Sequence, residues 1–369
     1  MRFAAEEQRV KVTGRTIFRD GIRYLGYTGT SISFRFSGKT AKAKLLSDAS
    51  THGRKDYAWV AVYVKVEKDG DVSYGALCDD KPYKRFCLDK DEAEYVLYES
   101  DEEKTVTVTL IKYSEAEYAA CGIKWIETDS EEILTPPAAK KLKIEMVGDS
   151  ITCGYGNEGG VEETQHDTSK ENPMGAYSLL TATHLDADVN VVAWNGKGVI
   201  TAYIGEDAPK VKDADWLVPM LYEYTDAGCE RDYLHTPEDK WEKWDNSNFI
   251  PDIITVYLGT NDASYTDNDA ARNEEFVNGY TKFLGTIRSK NPEIPILCML
   301  GTMDKRLCGS VERAVELFNS KNNTDNVYYL ELPFQDEADG LSINWHPTVK
   351  THRKTAEIVE KKIIEILKK

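Results

Sequence analysis

The stretch Ile144-Glu145-Met146-Val147-Gly148-Asp149-Ser150-Ile151-Thr152-Cys153-Gly154 decides the reading of this chain. Its first four residues form a short run of the kind that makes a buried strand. Behind it, Gly148 and Ser150 mark a tight strand-to-helix turn, which sets a serine hydroxyl at the rim of a sheet within reach of substrate. The G-x-S-x-G spacing of the nucleophile elbow is missing, so Ile151, Thr152, Cys153 and Gly154 must support the turn. Taken alone, Gly148, Asp149 and Ser150 are an unspecific signal whose meaning depends on partners elsewhere.

Downstream, runs of similar texture recur at residues 189–193, 253–258, 296–300 and 327–330, separated by helical stretches. That alternation predicts a parallel sheet with crossover helices. Pro347 opens a final helix that carries Ala356, Val359, Ile363 and Ile366 on one face, and Lys368 and Lys369 suit its C-terminal dipole. Upstream the texture changes: Ile32, Phe34 and Phe36 alternate with Ser31, Ser33, Arg35 and Ser37, the period of a half-buried strand. The same period recurs at 59–66, 95–98, 105–111 and 123–126, with turn signals at Gly38 and at Asp69 and Gly70. Pro136, Pro137, Ala138 and Ala139 break every period. The expected organisation is an N-terminal antiparallel β-sandwich over residues 1–133, a linker over 134–141 and a C-terminal α/β/α domain with a parallel sheet over 142–369.

Composition narrows the function. The 369 residues carry 46 Lys and Arg against 63 Asp and Glu, a formal charge of -17 that would repel a phosphate backbone, so nucleic acid is not expected as a partner. No run approaches a membrane span, and the charged start from Met1 to Val10 has no apolar core of a signal peptide. A cytoplasmic protein is expected, or a secreted one where a leader has been removed. Seven cysteines without a close pairing pattern read as reduced thiols, and neither H-E-x-x-H nor C-x-x-C spacing occurs, so no metal or other cofactor is expected. Cys153 reads as a small packing residue.

A serine nucleophile needs a base. Of the six histidines, His346 stands out because it lies in Asn344, Trp345, His346, Pro347, between the last strand and the last helix. His52, His166, His184, His235 and His352 lack such placement and read as structural. Acyl transfer also needs donors aimed at the developing oxyanion. Trp194, Asn195, Gly196, Lys197 and Gly198 follow the strand at 189–193, and Gly259, Thr260, Asn261 and Asp262 follow the strand at 253–258. Glycine lets a backbone N–H approach a substrate closely, and the Asn261 amide can point into the same mouth.

These four loops, in this order, resemble the blocks of the SGNH (GDSL-type) hydrolases over about 225 residues from Lys143 onward. The resemblance implies Ser150 as nucleophile and His346 as general base. It also implies an oxyanion hole made by the Ser150 and Gly196 backbone amides with the Asn261 side chain. Gly14, Arg15 and Thr16 with the strand Ser31 to Phe36 resemble the jelly-roll domain of carbohydrate esterase family 2, and Lys143 to Gly156, the loop Asn195 to Val199 and Trp345, His346 and Pro347 resemble that family too. That likeness covers nearly the whole chain. It implies removal of O-acetyl groups from plant polysaccharides such as xylan and glucomannan through an acetyl-serine, with an acetylated oligo- or polysaccharide as the partner.

One position departs from the superfamily pattern. Where most members place an Asp three residues before the histidine, this chain has Ile343, which cannot accept a hydrogen bond through its side chain. The expectation is a Ser-His dyad oriented by a backbone carbonyl, with Asn344 or Asp339 as side-chain alternatives. Trp345, Tyr155 and Trp194 are the aromatic candidates for the sugar site. Two other readings remain: a short-chain lipase, lysophospholipase or thioesterase on the same scaffold, and a non-catalytic carbohydrate-binding protein. The polar residues Asn157, Glu158, Thr164 and Gln165 behind the nucleophile oppose a long acyl trough. An exposed sandwich face would allow self-association into a homo-oligomer.

Overall fold

The computed structural model describes residues 1–67 and 81–368, so the turn expected at Asp69 and Gly70 lies outside the described residues. The N-terminal sheet is built from β1 (Arg2–Phe3), β2 (Lys11–Thr13), β3 (Thr16–Arg19), β4 (Ile22–Leu25), β5 (Ser31–Leu46), β6 (Trp59–Val66), β7 (Lys84–Cys87), β8 (Glu92–Lys112) and β9 (Cys121–Thr128). All its strand pairs are antiparallel, in the order β3-β4-β9-β5-β8-β6-β7, with β1 on β9 and β2 on β5.

The runs read as separate strands at 95–98 and 105–111 belong to one 21-residue strand, β8, paired along nearly all of β5. Ile32, Phe34 and Phe36 face the core at even positions, yet Ala41, Ala43 and Leu45 face it at odd ones. The register shifts between Gly38 and Thr40 and between Ala41 and Lys42, and these bulges let the apolar set change parity without leaving the core.

The second sheet holds β10 (Leu142–Gly148), β11 (Ala187–Ala193), β12 (Ile253–Tyr257), β13 (Ile296–Leu300) and β14 (Val327–Glu331), all parallel, in the order β11-β10-β12-β13-β14. Its helices include α1 (Ser150–Cys153), α2 (Tyr177–His184), α3 (Val218–Leu221), α4 (Asp262–Thr266), α5 (Ala270–Lys290), α6 (Cys308–Asn322) and α7 (Val349–Leu367). Helix α2 packs on α7 and α5 packs on α6. The order reverses at β10, and in open parallel sheets ligands bind at such a switch point, outside the carboxyl ends of the strands.

The two sheets share a core. Val60 and Val62 of β6 point into the sandwich, while Ala61 and Tyr63 join Ile111 and Tyr113 against Met174, Leu179 and the rest of the α/β core. The sandwich face read as free for self-association is therefore covered over β6 and the end of β8 by the second domain. Among the described residues no helix is long and apolar enough to cross a membrane.

Candidate active site

Strand order explains why distant loops meet. Since β11 and β12 flank β10, the loops carrying Ser150, Gly196 and Asn261 leave three neighbouring strand ends on one edge. Gly148 is required locally: a Cβ there would meet Thr152 Oγ1 at 1.9 Å, because α1 turns straight back over the strand. Asp149 caps α1 by accepting from Ile151 N, and Gly154 ends it in the left-handed region at φ 84°. Ser150 is buried at the first helical position, and Thr152 Oγ1 is bonded to Tyr177 OH at 2.8 Å.

His346 comes from the loop after β14, which crosses the strand ends to reach Ser150. Its Nδ1 donates to the carbonyls of Ile343 at 3.0 Å and Asn344 at 3.2 Å. Nε2 is thereby left as an acceptor, and Ser150 Oγ donates to it at 2.8 Å. Two successive non-glycine residues, Asn344 at φ 50° and Trp345 at φ 65°, are in the left-handed region and fold the loop so that both carbonyls face the ring. The Asn344 amide donates to Tyr155 OH at 2.9 Å, Gln335 Nε2 donates to Trp345 O at 2.7 Å, and Ser342 Oγ donates to Gly156 O. Ile343 is fully buried against Gly156 and Gly159, where added Cβ atoms would meet it at 2.8 and 2.5 Å. Burial pushes the His346 ring down to about 4, partly opposed by its two carbonyl partners.

The oxyanion candidates share the mouth. Gly196 sits at φ 69° with open space where a Cβ would be, and it lines a cavity of about 710 Å³ together with Ser150, Asn261 and His346. The Asn261 amide is held between Asp149 Oδ2 at 3.3 Å and Lys197 O at 3.1 Å. Burial lifts the Asp149 carboxyl to about 7, against the pull of the Ile151 N–H. Asp262 accepts from the N–H groups of Val199, Ile200 and Thr201, which ties the loop after β11 to the start of α4.

Several expected roles change. Asp339 does not orient the histidine, since its carboxylate is held by Lys350 and Lys354. The Asn344 side chain also faces away, toward Tyr155, and only its carbonyl serves the ring. Trp194 is 2% exposed and packs with Leu221, Ala227 and Trp241, so it is core rather than a sugar platform. Tyr155 lines the cavity but works as a brace, with its ring 4.4 Å from those of both His346 and His166. Trp345 stands at the cavity rim, 64% exposed.

The sequence reading missed a wall supplied by the sandwich domain. Residues between β8 and β9 reach into the site: Glu117 lines the cavity, Tyr118 stacks on His166, and the buried Glu115 accepts from Asn195 N. Tyr203 and Arg306, the latter paired with Asp304 and Glu206, line the far side. Nothing in their spacing linked these residues to Ser150: domain packing brings Glu115, Glu117 and Tyr118 there, and Tyr203 and Arg306 arrive on the loops after β11 and β13 of the same sheet. Among the described residues no group of three His, Cys, Asp or Glu side chains is arranged to hold a metal ion.

The fold and the family it shares with known proteins make this a carboxylic ester hydrolase. A model of the GDSL-like lipase/acylhydrolase family matches residues 146–354, and one of the carbohydrate esterase 2 N-terminal domain matches residues 12–137. The chain belongs to the GDSL-like lipase/acylhydrolase family and, with both domains present, to carbohydrate esterase family 2. It is 26% identical over 371 residues to an acetylxylan esterase/glucomannan deacetylase of Cellvibrio japonicus, covering 99% of this chain and 90% of that one. It is 29% identical over 300 residues to the cellulase/esterase CelE of Acetivibrio thermocellus, which is 80% of this chain but 34% of that protein's length. Among solved structures it is similar to a family two carbohydrate esterase from Clostridium thermocellum in complex with cellohexaose, with a TM-score of 0.79, 27% identity and coverage of 97% and 99%.

Proposed function

We propose that the protein removes O-acetyl groups from hemicellulose oligosaccharides of the xylan, mannan or glucomannan type by a Ser-His dyad. The observation that carries the reading is the 2.8 Å contact from Ser150 Oγ to His346 Nε2 at the mouth of a cavity that Gly196 and Asn261 also line. Ser150 Oγ attacks the acetyl carbonyl while its proton passes to His346 Nε2, and negative charge gathers on the carbonyl oxygen. The N–H groups of Ser150 and Gly196 take that oxygen, joined by the Asn261 amide as one of its N–H groups turns from the long bond to Asp149. Collapse expels the sugar oxygen, which leaves as an alcohol with the proton from His346. Water then attacks the acetyl-serine with the same base, releasing acetate. The imidazolium formed midway is steadied by the Ile343 and Asn344 carbonyls instead of a carboxylate. Two relatives named for acetylxylan or cellulose chemistry support a sugar substrate. So does a wide cavity whose lining carries the charged Glu117, Glu206 and Asp304 beside the aromatic Trp345.

Proton NMR of acetylated xylo- and manno-oligosaccharides tests this directly. The expected result is loss of acetyl signals with wild-type protein and a rate at least about a thousandfold lower with Ser150→Ala. On 4-nitrophenyl esters acetyl should be the best acyl group. Rates that rise with acyl length would favour a lipase, and glycan binding without turnover would leave only a binding protein.

A further inference from the structure

Gly196 N–H belongs to the peptide plane between Asn195 and Gly196, and a glycine holds that plane weakly. The planes on either side are pinned. Tyr203 N donates to Gly196 O at 2.8 Å and Lys197 N donates to Trp194 O at 3.3 Å, which fixes the chain ahead. Behind, Asn195 N donates to Glu115 Oε2 at 2.9 Å. Glu115 belongs to the other domain, in the segment between β8 and β9.

That carboxyl is itself built in. Glu115 is fully buried, and its own N–H donates to Glu171 Oε2 at 2.8 Å. Its carbonyl accepts from the ammonium of the buried Lys112 at 2.7 Å, which also takes Ser114 O at 2.9 Å. Next in sequence, Ala116 packs against Trp194 on one side of the oxyanion loop, and Glu117 Oε2 lies 3.5 Å from the Asn195 amide. Burial, with Glu171 and Glu117 close by, holds the Glu115 carboxyl well above the usual carboxylate range.

We infer that Glu115 is a positioning residue for the oxyanion hole: from the sandwich domain it grips Asn195 N and so aims the Gly196 N–H at the Ser150 site. The inference rests on the assignment of Gly196 N–H to the oxyanion. It gives the sandwich domain a part in the chemistry of the second domain.

Steady-state kinetics on 4-nitrophenyl acetate, with inhibition by a small alkylboronic acid as a tetrahedral mimic, provide the test. Glu115→Ala should lower kcat at least about tenfold with KM within about twofold, and weaken the boronate by a similar factor. Glu115→Asp, whose shorter arm cannot reach Asn195 N but keeps a buried carboxyl, should show the same split if the alanine variant does not fold. Glu115→Gln, neutral and of the same reach, should recover most of kcat. Unchanged kcat in Glu115→Asp, or Glu115→Gln as impaired as Glu115→Ala in folded protein, overturns the inference. Ser150→Ala separates the two levels: if it stays active the site itself is wrong. If it is dead while the Glu115 variants match wild type, only the positioning role fails.

Discussion

A neutral imidazole acts as general base only when its Nδ1 proton is held elsewhere and its Nε2 faces the nucleophile. At His346 the carbonyls of Ile343 and Asn344 do the holding, and the loop accepts two left-handed residues to bring them there. The sign of the pH dependence follows from the lowered pKa. A base whose pKa lies near 4 is neutral through the neutral range and is lost only as pH falls through that value. The acid limb of kcat/KM on 4-nitrophenyl acetate should therefore fall well below the free-imidazole value of about 6.5. Because the ring is half-buried rather than sealed, the limb should lie at or somewhat above 4. Asp149, lifted to about 7 and bonded to the Asn261 amide, should step the plateau near neutrality without abolishing it. A limb at 6.5 or higher would mean that burial does not govern the ring. Asn261→Ala should cost about a hundredfold or more in kcat, the price of an oxyanion donor.

Elements carry the next level. Strand β5 keeps its apolar residues inward across two register shifts, and Gly38 stands at the first of them. A Cβ at Gly38 would meet Asp129 Oδ1 at 2.3 Å and the Phe36 ring at 3.0 Å, while Asp129 accepts from the N–H groups of Lys39 and Thr40. Gly38→Ala should destabilise the protein by about 1–3 kcal/mol in urea unfolding, with kcat unaffected. An unchanged midpoint would show that Asp129 moves aside freely. The alternation at 31–37 and the α7 stripe at Ala356, Val359 and Ile363 were legible because a period of two or 3.6 is written in local sequence. The union of 95–98 with 105–111 in β8 was not, since residues 100–103 interrupt the period and have no partner in β5, and only the pairing of the flanking stretches with β5 joins the two runs.

At the scale of the molecule the domains are joined by buried charge as well as by apolar surface. Arg15, fully buried, donates to Glu145 Oε1 at 2.7 Å and to the carbonyls of Tyr222 and Tyr224, and Tyr222 OH donates to Glu145 Oε2 at 3.0 Å. Removing one partner leaves the other charge stranded, so Arg15→Ala should cost about 3–5 kcal/mol, and Arg15→Met with Glu145→Leu should regain most of it. Because the apolar core runs through both domains, unfolding should remain a single transition in wild type. A loss below about 1 kcal/mol for Arg15→Ala would show that water reaches Glu145. Sequence alone determined the two sheets and marked Ser150 and His346 as a candidate pair, with candidate loops at Gly196 and Asn261, because strand texture, glycine turns and short motifs are local properties of a chain. Tertiary structure decided what surrounds them: the carbonyls that replace an acid, the burial of Trp194, the salt bridges that occupy Asp339 and the arrival of Glu115 and Glu117 from the sandwich. Those depend on which strand ends and which domain faces touch, and contacts between residues 80 or more apart, such as Glu115 with Asn195, leave no period for the sequence to show.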